Sequence, residues 1–212
     1  MSQSNLIREN KDHWYDGLFY DFVIAPNQDR SFSHVKNMVE QNSILLDVGC
    51  GTGRLAFQIA DKCSKVDALD LSKRNIEFAN KKLTKNSKNN IQFIHADVLN
   101  HLNGTNQKYD YAVLSYVIHE IDESLREQIL IELSKSAEKI IVIDYLAPRI
   151  KGMWNLLNEI VEYVAGREHY SNFKTFIAGN GIKGLSEKTR LKIVNEIKNS
   201  PSTSHIVVLS KE

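Results

Sequence analysis

Blocks of apolar residues alternate with polar stretches along the chain in a βα rhythm. Ile44-Leu45-Leu46-Asp47-Val48 is a short apolar run with polar residues before it and glycines after it, which predicts a buried strand. Arg54 to Cys63 follows, with Leu55, Ile59 and Ala60 at helical spacing. Val66 to Leu71 reads as a second strand, and Ser72 as the N-cap of a helix running to about Lys85. Ile91 to His95 and Tyr109 to Ser115 give strands three and four. Glu123 to Ala137 gives an amphipathic helix, and Lys139 to Tyr145 the fifth strand. Its unbroken Ile140-Ile141-Val142-Ile143 is typical of strands covered by helices on both faces of a parallel sheet. The alternation predicts a doubly wound α/β domain.

The C-terminal end breaks the rhythm. Leu191 to Ile197 and His205 to Ser210 are β-like runs joined by a short polar link containing Pro201, which favours an antiparallel hairpin over a helical crossover. Before them lie two helical stretches, near 149–166 and 170–180, where one crossover suffices. The first carries Met153, Trp154, Leu157, Ile160, Val161 and Val164 as an apolar stripe, expected to pack largely into the core. The N-terminal stretch His13 to Phe22 is unusually aromatic.

At 212 residues the chain suits one well-buried core, so a single domain over 1–212 is expected. A net charge of +1 provides no overall field to select a polyanion, and no basic stripe stands out, which argues against a nucleic-acid partner. Two cysteines, Cys50 and Cys63, suggest neither a disulfide framework nor a metal site. No signal-peptide pattern and no apolar run of about eighteen residues are present, so a cytoplasmic protein without a transmembrane segment is expected.

The strongest chemical signal is Asp47-Val48-Gly49-Cys50-Gly51-Thr52-Gly53, which ends the first strand and opens a helix. Glycines there permit positive φ and let a ligand approach the backbone without a Cβ in the way. The Gly-x-Gly-x-Gly spacing differs from the Gly-x-Gly-x-x-Gly of dinucleotide sites, so the ligand need not carry phosphate. Asp70 ends the second strand, where a carboxylate can accept from both hydroxyls of a ribose; Asp97 follows the third, placed for an adenine amine. Either aspartate alone could equally be a helix cap. Together with the loop they sit at the carboxyl ends of successive strands, where open α/β sheets bind ligands.

From about Val39 to Leu146 the sequence resembles the class I methyltransferases that depend on S-adenosylmethionine (SAM). Asp47 to Gly53 matches their first motif closely; Asp70, with Leu71 beside it, matches the ribose-binding acid, and Asp97 with Val98 the adenine-contacting position. The resemblance implies a mostly parallel seven-stranded Rossmann-like sheet with a C-terminal antiparallel hairpin. It implies SAM as methyl donor and S-adenosylhomocysteine as product. It also implies a cofactor site built from Asp47, Gly49, Cys50, Gly51, Gly53, Asp70, Leu71, Asp97, Val98 and Ser115, with Ser115 to Glu120 lying against the methionine moiety.

A general base is needed only if the acceptor must lose a proton, and His119, just past the fourth strand, is the candidate. Its other role is to orient the loop by hydrogen bonding. Glu120 reads as a cap or a solvent-facing group, and Asp144 and Tyr145 end the fifth strand near the acceptor. Residues 1–31 form an expected aromatic lid, and 149–168 an additional helix over the acceptor site. Tyr15, Tyr20, Trp154 and His169 are the candidate acceptor contacts. The expected partner is a small molecule, apolar or lipid- or quinone-like. Family members that methylate base amines carry an Asn/Asp-Pro-Pro-aromatic segment where this chain has Ser115-Tyr116-Val117-Ile118. The competing readings are a catalytically idle SAM-binding regulatory or assembly protein, and more weakly an NAD-dependent oxidoreductase or an RNA methyltransferase.

Overall fold

The structure, a computed structural model, describes residues 25–86, 88–149, 152–200 and 202–211. Helix α1 (Ala25–Met38) leads into β1 (Ser43–Val48), α2 (Arg54–Ile59), β2 (Cys63–Asp70), α3 (Lys73–Asn86), β3 (Ile91–His95) and α4 (Val98–Gly104). The second half runs β4 (Tyr109–Ser115), α5 (Glu123–Ser136), β5 (Ala137–Tyr145), α6 (Met153–Val164), α7 (Arg167–Ala178), α8 (Gly181–Thr189), β6 (Lys192–Lys198) and β7 (Ser204–Ser210).

Seven strands form one sheet in the order β3-β2-β1-β4-β5-β7-β6. The first five are parallel, and β7 runs antiparallel between β5 and β6. Strand order reverses between β1 and β4, so the loops leaving β1 and β4 diverge there and open a crevice at the carboxyl ends.

The continuous apolar runs divide between the two faces by strand alternation. Leu45, Tyr111, Val113, Ile141, Ile143, Ile206 and Val208 join Phe32, Leu55, Ile59 and Ile76 on the side of α1, α2 and α3. Their neighbours Leu46, Ala112, Leu114, Ile140, Val142, Val207 and Leu209 meet Leu102, Leu130, Leu133, Phe176 and Leu185 from α4, α5, α7 and α8. Each fully buried aliphatic side chain contributes roughly 1.5–3 kcal/mol, so this double coverage fixes the sheet. Strand β6 is exposed along most of its length and carries Lys192, Glu196 and Lys198, charges that discourage edge-to-edge pairing.

The fold class and the terminal hairpin agree with the sequence reading. Three helices were not foreseen. Helix α1 follows the aromatic stretch, α4 has only seven residues, and α8 turns within a glycine-containing segment. Helix α2 ends at Ile59 instead of Cys63, because Cys63 already starts β2 beside Ser43.

One expectation is reversed. The apolar stripe of α6 faces outward: Met153, Trp154, Leu157, Ile160, Val161 and Val164 are all exposed, while Asn155 and Glu162 are the buried positions. Polar anchoring turns the helix. The guanidinium of Arg149 donates to the Asn155 carbonyl, and the Tyr145 hydroxyl donates to Glu162 Oε1 at 2.6 Å. Among the described residues no helix is long and apolar enough to cross a membrane.

Candidate active site

The glycine loop is held by three positive φ values, +70° at Gly49, +54° at Gly51 and +80° at Gly53, a region that costs other residues roughly 1–2 kcal/mol. Two of the glycines are also required by space. A Cβ on Gly49 would lie 2.4 Å from Val117, and one on Gly53 would lie 2.5 Å from the Phe93 ring. Gly51 differs, since a Cβ there would meet nothing within 4 Å. The loop is therefore packed from below and open above, as a backbone cradle for a ligand must be. The Cys50 N–H donates to the Leu69 carbonyl at 2.8 Å and ties the loop to β2.

Asp70 reaches across from the end of β2. Its Oδ2 accepts the Gly51 N–H and its Oδ1 the Ser72 N–H, both at 2.7 Å. These two bonds from backbone N–H groups fix the direction of the carboxylate. Asp97 caps α4, accepting the Asn100 N–H at 3.0 Å, and Val98 is buried beneath it. Leu71 is 53% exposed beside Asp70. The folding brings Asp47, Gly49, Cys50, Gly51, Gly53, Asp70, Leu71, Asp97, Val98 and Ser115 to the carboxyl ends of β1 to β4.

Among the described residues, two buried oxygens at this rim have no hydrogen-bond partner, Asp47 Oδ2 and Ser115 Oγ. Burial, reinforced by the nearby Asp70 charge, raises the Asp47 carboxyl to about 7 against the amide of Ala56, which lowers it. The Cys50 thiol is held up by burial and by both aspartates, so it stays protonated and is no nucleophile.

On the other side of the crevice, the segment after β4 turns sharply. Tyr116 adopts φ +56°, its N–H donates to the Ile143 carbonyl at 2.7 Å, and Val117 lies against Gly49. His119 is thereby buried, 2% exposed, with Nδ1 2.7 Å from Asp144 Oδ1 and its own N–H 3.3 Å from Asp144 Oδ2. Its Nε2 faces Glu162 Oε2 at 3.6 Å and Glu120 Oε1 at 3.9 Å. His169, in the first turn of α7, brings Nε2 to 2.5 Å from Glu162 Oε2 and 3.8 Å from Glu120 Oε1. Burial pushes the His119 imidazolium down, but the carboxylates of Asp144 and Glu162 prevail and hold it well above the ordinary histidine range. Glu162 would be raised by burial, yet the imidazoles of His119 and His169 draw it well below the usual carboxylate range.

Buried Arg126 fastens this loop. It donates to the carbonyls of Ile121 at 2.9 Å and Asn172 at 2.6 Å and to Thr175 Oγ1 at 3.0 Å. Sequence reasoning did not single out Arg126 or Glu162. A partial signal for Glu162 exists: Asn155 and Glu162, seven apart on α6, share one face with Asn158 and Glu159 beside it, opposite the apolar stripe. Trp154 lies on the outward side of α6, 53% exposed. Tyr15 and Tyr20, with most of the expected lid 1–31, lie outside the described residues.

Comparison with known proteins agrees with this fold. Residues 45–139 fit the family described as a methyltransferase domain. The chain superposes on the magnesium protoporphyrin IX methyltransferase of Synechocystis PCC 6803 bound to S-adenosylhomocysteine with a TM-score of 0.67, at 17% identity over 93% of this chain and 91% of that one. For the N-methyltransferase NodS of Bradyrhizobium japonicum WM9 with the same ligand, the TM-score is 0.65 at 15% identity, over 92% of each chain. A curated relative, an uncharacterized RNA methyltransferase of Mycoplasma mobile, is 26% identical over 99 residues. That match spans 47% of this chain but only 27% of the relative, so the chain covers about a quarter of that protein's length. Residues 45–139 thus match a methyltransferase domain, and the chain shares the fold of methyltransferases crystallised with S-adenosylhomocysteine.

Two predictions test the cofactor side. Gly51→Ala should cost about 1 kcal/mol in urea unfolding, backbone strain alone, whereas Gly53→Ala should cost at least ~2 because Phe93 must also move. Equal losses would mean that the ring yields freely. For Asp47, the native carboxyl titrates at about 7 and the unfolded one near 3.8, so between these values the native state binds more protons. Its contribution to stability therefore falls as pH rises through that window and levels off above it. Asp47→Asn should remove the slope, gaining up to about 4 kcal/mol on the wild type between about pH 4 and 7.5. Parallel pH profiles for the two proteins would refute the assignment.

Proposed function

We propose that this chain transfers the methyl group of SAM to a small, largely apolar acceptor by in-line displacement. When bound, SAM supplies a methyl already activated on a sulfonium sulfur, so the protein's work is alignment and control of the acceptor's proton. The observation that carries this reading is the convergence of the open glycine cradle, Asp70 and Asp97 with the two unpartnered buried oxygens, Asp47 Oδ2 and Ser115 Oγ. Asp70, directed by two backbone N–H groups, receives the ribose hydroxyls, and Asp97 with Val98 borders the adenine. Asp47 offers a carboxylate oxygen toward the cationic end of the ligand.

His119 governs the acceptor's proton. Asp144 fixes its ring through Nδ1, leaving Nε2 on the side of α6 and α7, where His169 also lies. The apolar character of the acceptor is supported by α6, whose exposed Trp154, Leu157, Ile160 and Val161 border this side of the molecule. Contiguous exposed apolar surface of this kind marks binding surfaces. The additional helix over the acceptor site is thus α6, within a single domain. A nucleic-acid acceptor has less support, since the net charge is only +1.

Asp70→Ala should weaken SAM binding in calorimetry by more than about tenfold, because it removes a charged acceptor from two hydroxyls. Unchanged affinity would place the ribose elsewhere. Wild-type protein incubated with labelled SAM and a metabolite extract should label an organic-soluble product. Tight SAM binding with no acceptor-dependent transfer would instead identify a catalytically idle binding protein.

A further inference from the structure

The acceptor side holds a cluster that the methyl-transfer geometry alone does not call for. One ligand atom each from His119, Glu120 and His169 lies within 4.8 Å of the others. Glu162 completes a ring of two imidazole nitrogens and two carboxylates, drawn from the loop after β4 and from helices α6 and α7. From the geometry we infer that this ring binds one divalent transition cation. An oxygen of the acceptor would enter as a fifth ligand, a role that rests on the methyltransferase reading.

Three observations carry the inference. The first is spacing. Tetrahedral bonds of about 2.1 Å put neighbouring donor atoms roughly 3.4 Å apart. Three of the four nitrogen–oxygen separations around the ring are 3.6, 3.9 and 3.8 Å. The fourth, 2.5 Å between His169 Nε2 and Glu162 Oε2, reaches the tetrahedral value if Glu162 withdraws by about 1 Å.

The second is the state of Glu162. The residue is 4% exposed, on the inward side of α6 with Asn155, and its Oε2 faces the Nε2 atoms of His169 and His119 at 2.5 and 3.6 Å. A buried carboxylate is costly unless positive charge faces it, and a cation between it and the two imidazoles would supply that charge.

The third is the shell behind the ring. Histidines that ligate metals usually donate their other ring N–H to a carboxylate, and Asp144, itself 0% exposed, takes that position at 2.7 Å from His119 Nδ1. The Tyr145 hydroxyl holds Glu162 Oε1 at 2.6 Å, so both ligands are oriented from behind. Two nitrogens and two oxygens suit zinc, iron(II), cobalt or manganese, and disfavour calcium and magnesium, which take oxygen donors. No sequence spacing announces this centre, whose ligands are separated by up to fifty residues; the expectation of no metal considered the cysteines alone.

The site borders the cofactor cradle, since Val117, two residues before His119, packs on Gly49. A hydroxyl or enol oxygen of the acceptor held there would lose its proton to solvent more readily. Its lone pair would form the new O–C bond as the C–S bond breaks with its electrons passing to sulfur, leaving a methyl ether and S-adenosylhomocysteine. His119 then controls the acceptor's proton as a ligand of the cation.

The test uses the whole chain, dialysed against chelator and titrated with Co2+ while visible absorption is followed, with SAM calorimetry and circular dichroism on the same preparations. One equivalent of Co2+ should bind with the intensified bands of a low-coordinate nitrogen–oxygen site. His169→Ala and the half-exposed ligand change Glu120→Gln should each weaken it at least roughly tenfold, and Asp144→Asn by roughly 10–100-fold. Failure of folded wild type to bind Co2+, or affinity in Glu120→Gln and His169→Ala unchanged from wild type, overturns the cation site. If Co2+ fails and SAM still binds, the methyltransferase reading stands without it. If Co2+ binds and SAM does not, the cation site stands and its role toward a methyl acceptor falls.

Discussion

A carboxylate with no solvent exposure survives in a protein only where donors replace the water it has lost. Asp144 meets that requirement with the ring Nδ1–H and backbone N–H of His119 and the backbone N–H of Tyr145. The consequence spreads outward from the end of β5. Because Asp144 grips both the ring and the chain of His119, the segment after β4 is pinned beside its neighbouring strand. The Tyr145 hydroxyl in turn catches Glu162 and rotates α6, and Glu162 faces the imidazole from α7. Arg126 closes the assembly from α5. The acceptor half of the crevice is thus organised around one buried charge.

The two halves of the crevice differ in how far the sequence disclosed them. The cofactor half was legible because its determinants are local. Each glycine or aspartate ends a strand whose apolar run is itself recognisable, and the parallel sheet then brings those ends together whatever the side chains elsewhere. The terminal hairpin was legible for the same reason, from two β-like runs with a short polar link. The acceptor half assembles from positions 119, 120, 144, 162 and 169, whose meeting depends on the rotation of α6 and the docking of α7. No periodicity encodes that rotation. Reading α6 by its apolar stripe gave the opposite face, because a few strong polar contacts outweighed the burial of several apolar side chains. The helices α1, α4 and α8 escaped for a different reason. Their burial comes from contacts such as Phe32, Leu102 and Leu185 with distant strands, and not from a strong pattern of their own.

Helix α6 therefore presents an unusual surface. Its outward side carries tryptophan, leucine, isoleucine and valine, and its inward side carries an amide and a carboxylate. An ordinary amphipathic helix would bury the former. Here the polar pair faces inward, Glu162 toward His119 and His169, and the apolar side is left at the surface.

The placement of β7 has a bearing on how the molecule is made. Strand β7 follows β6 in the chain yet is inserted between β5 and β6, its Ile206, Val207, Val208 and Leu209 in register with Ile143, Val142, Ile141 and Ile140. Until it arrives, the apolar Ile140–Ile143 run of β5 has a bare flank, and β6 has nothing to join. Biosynthesis must thus reach the end of the hairpin before the sheet can close, and the nascent chain is most exposed to self-association in the interval just before.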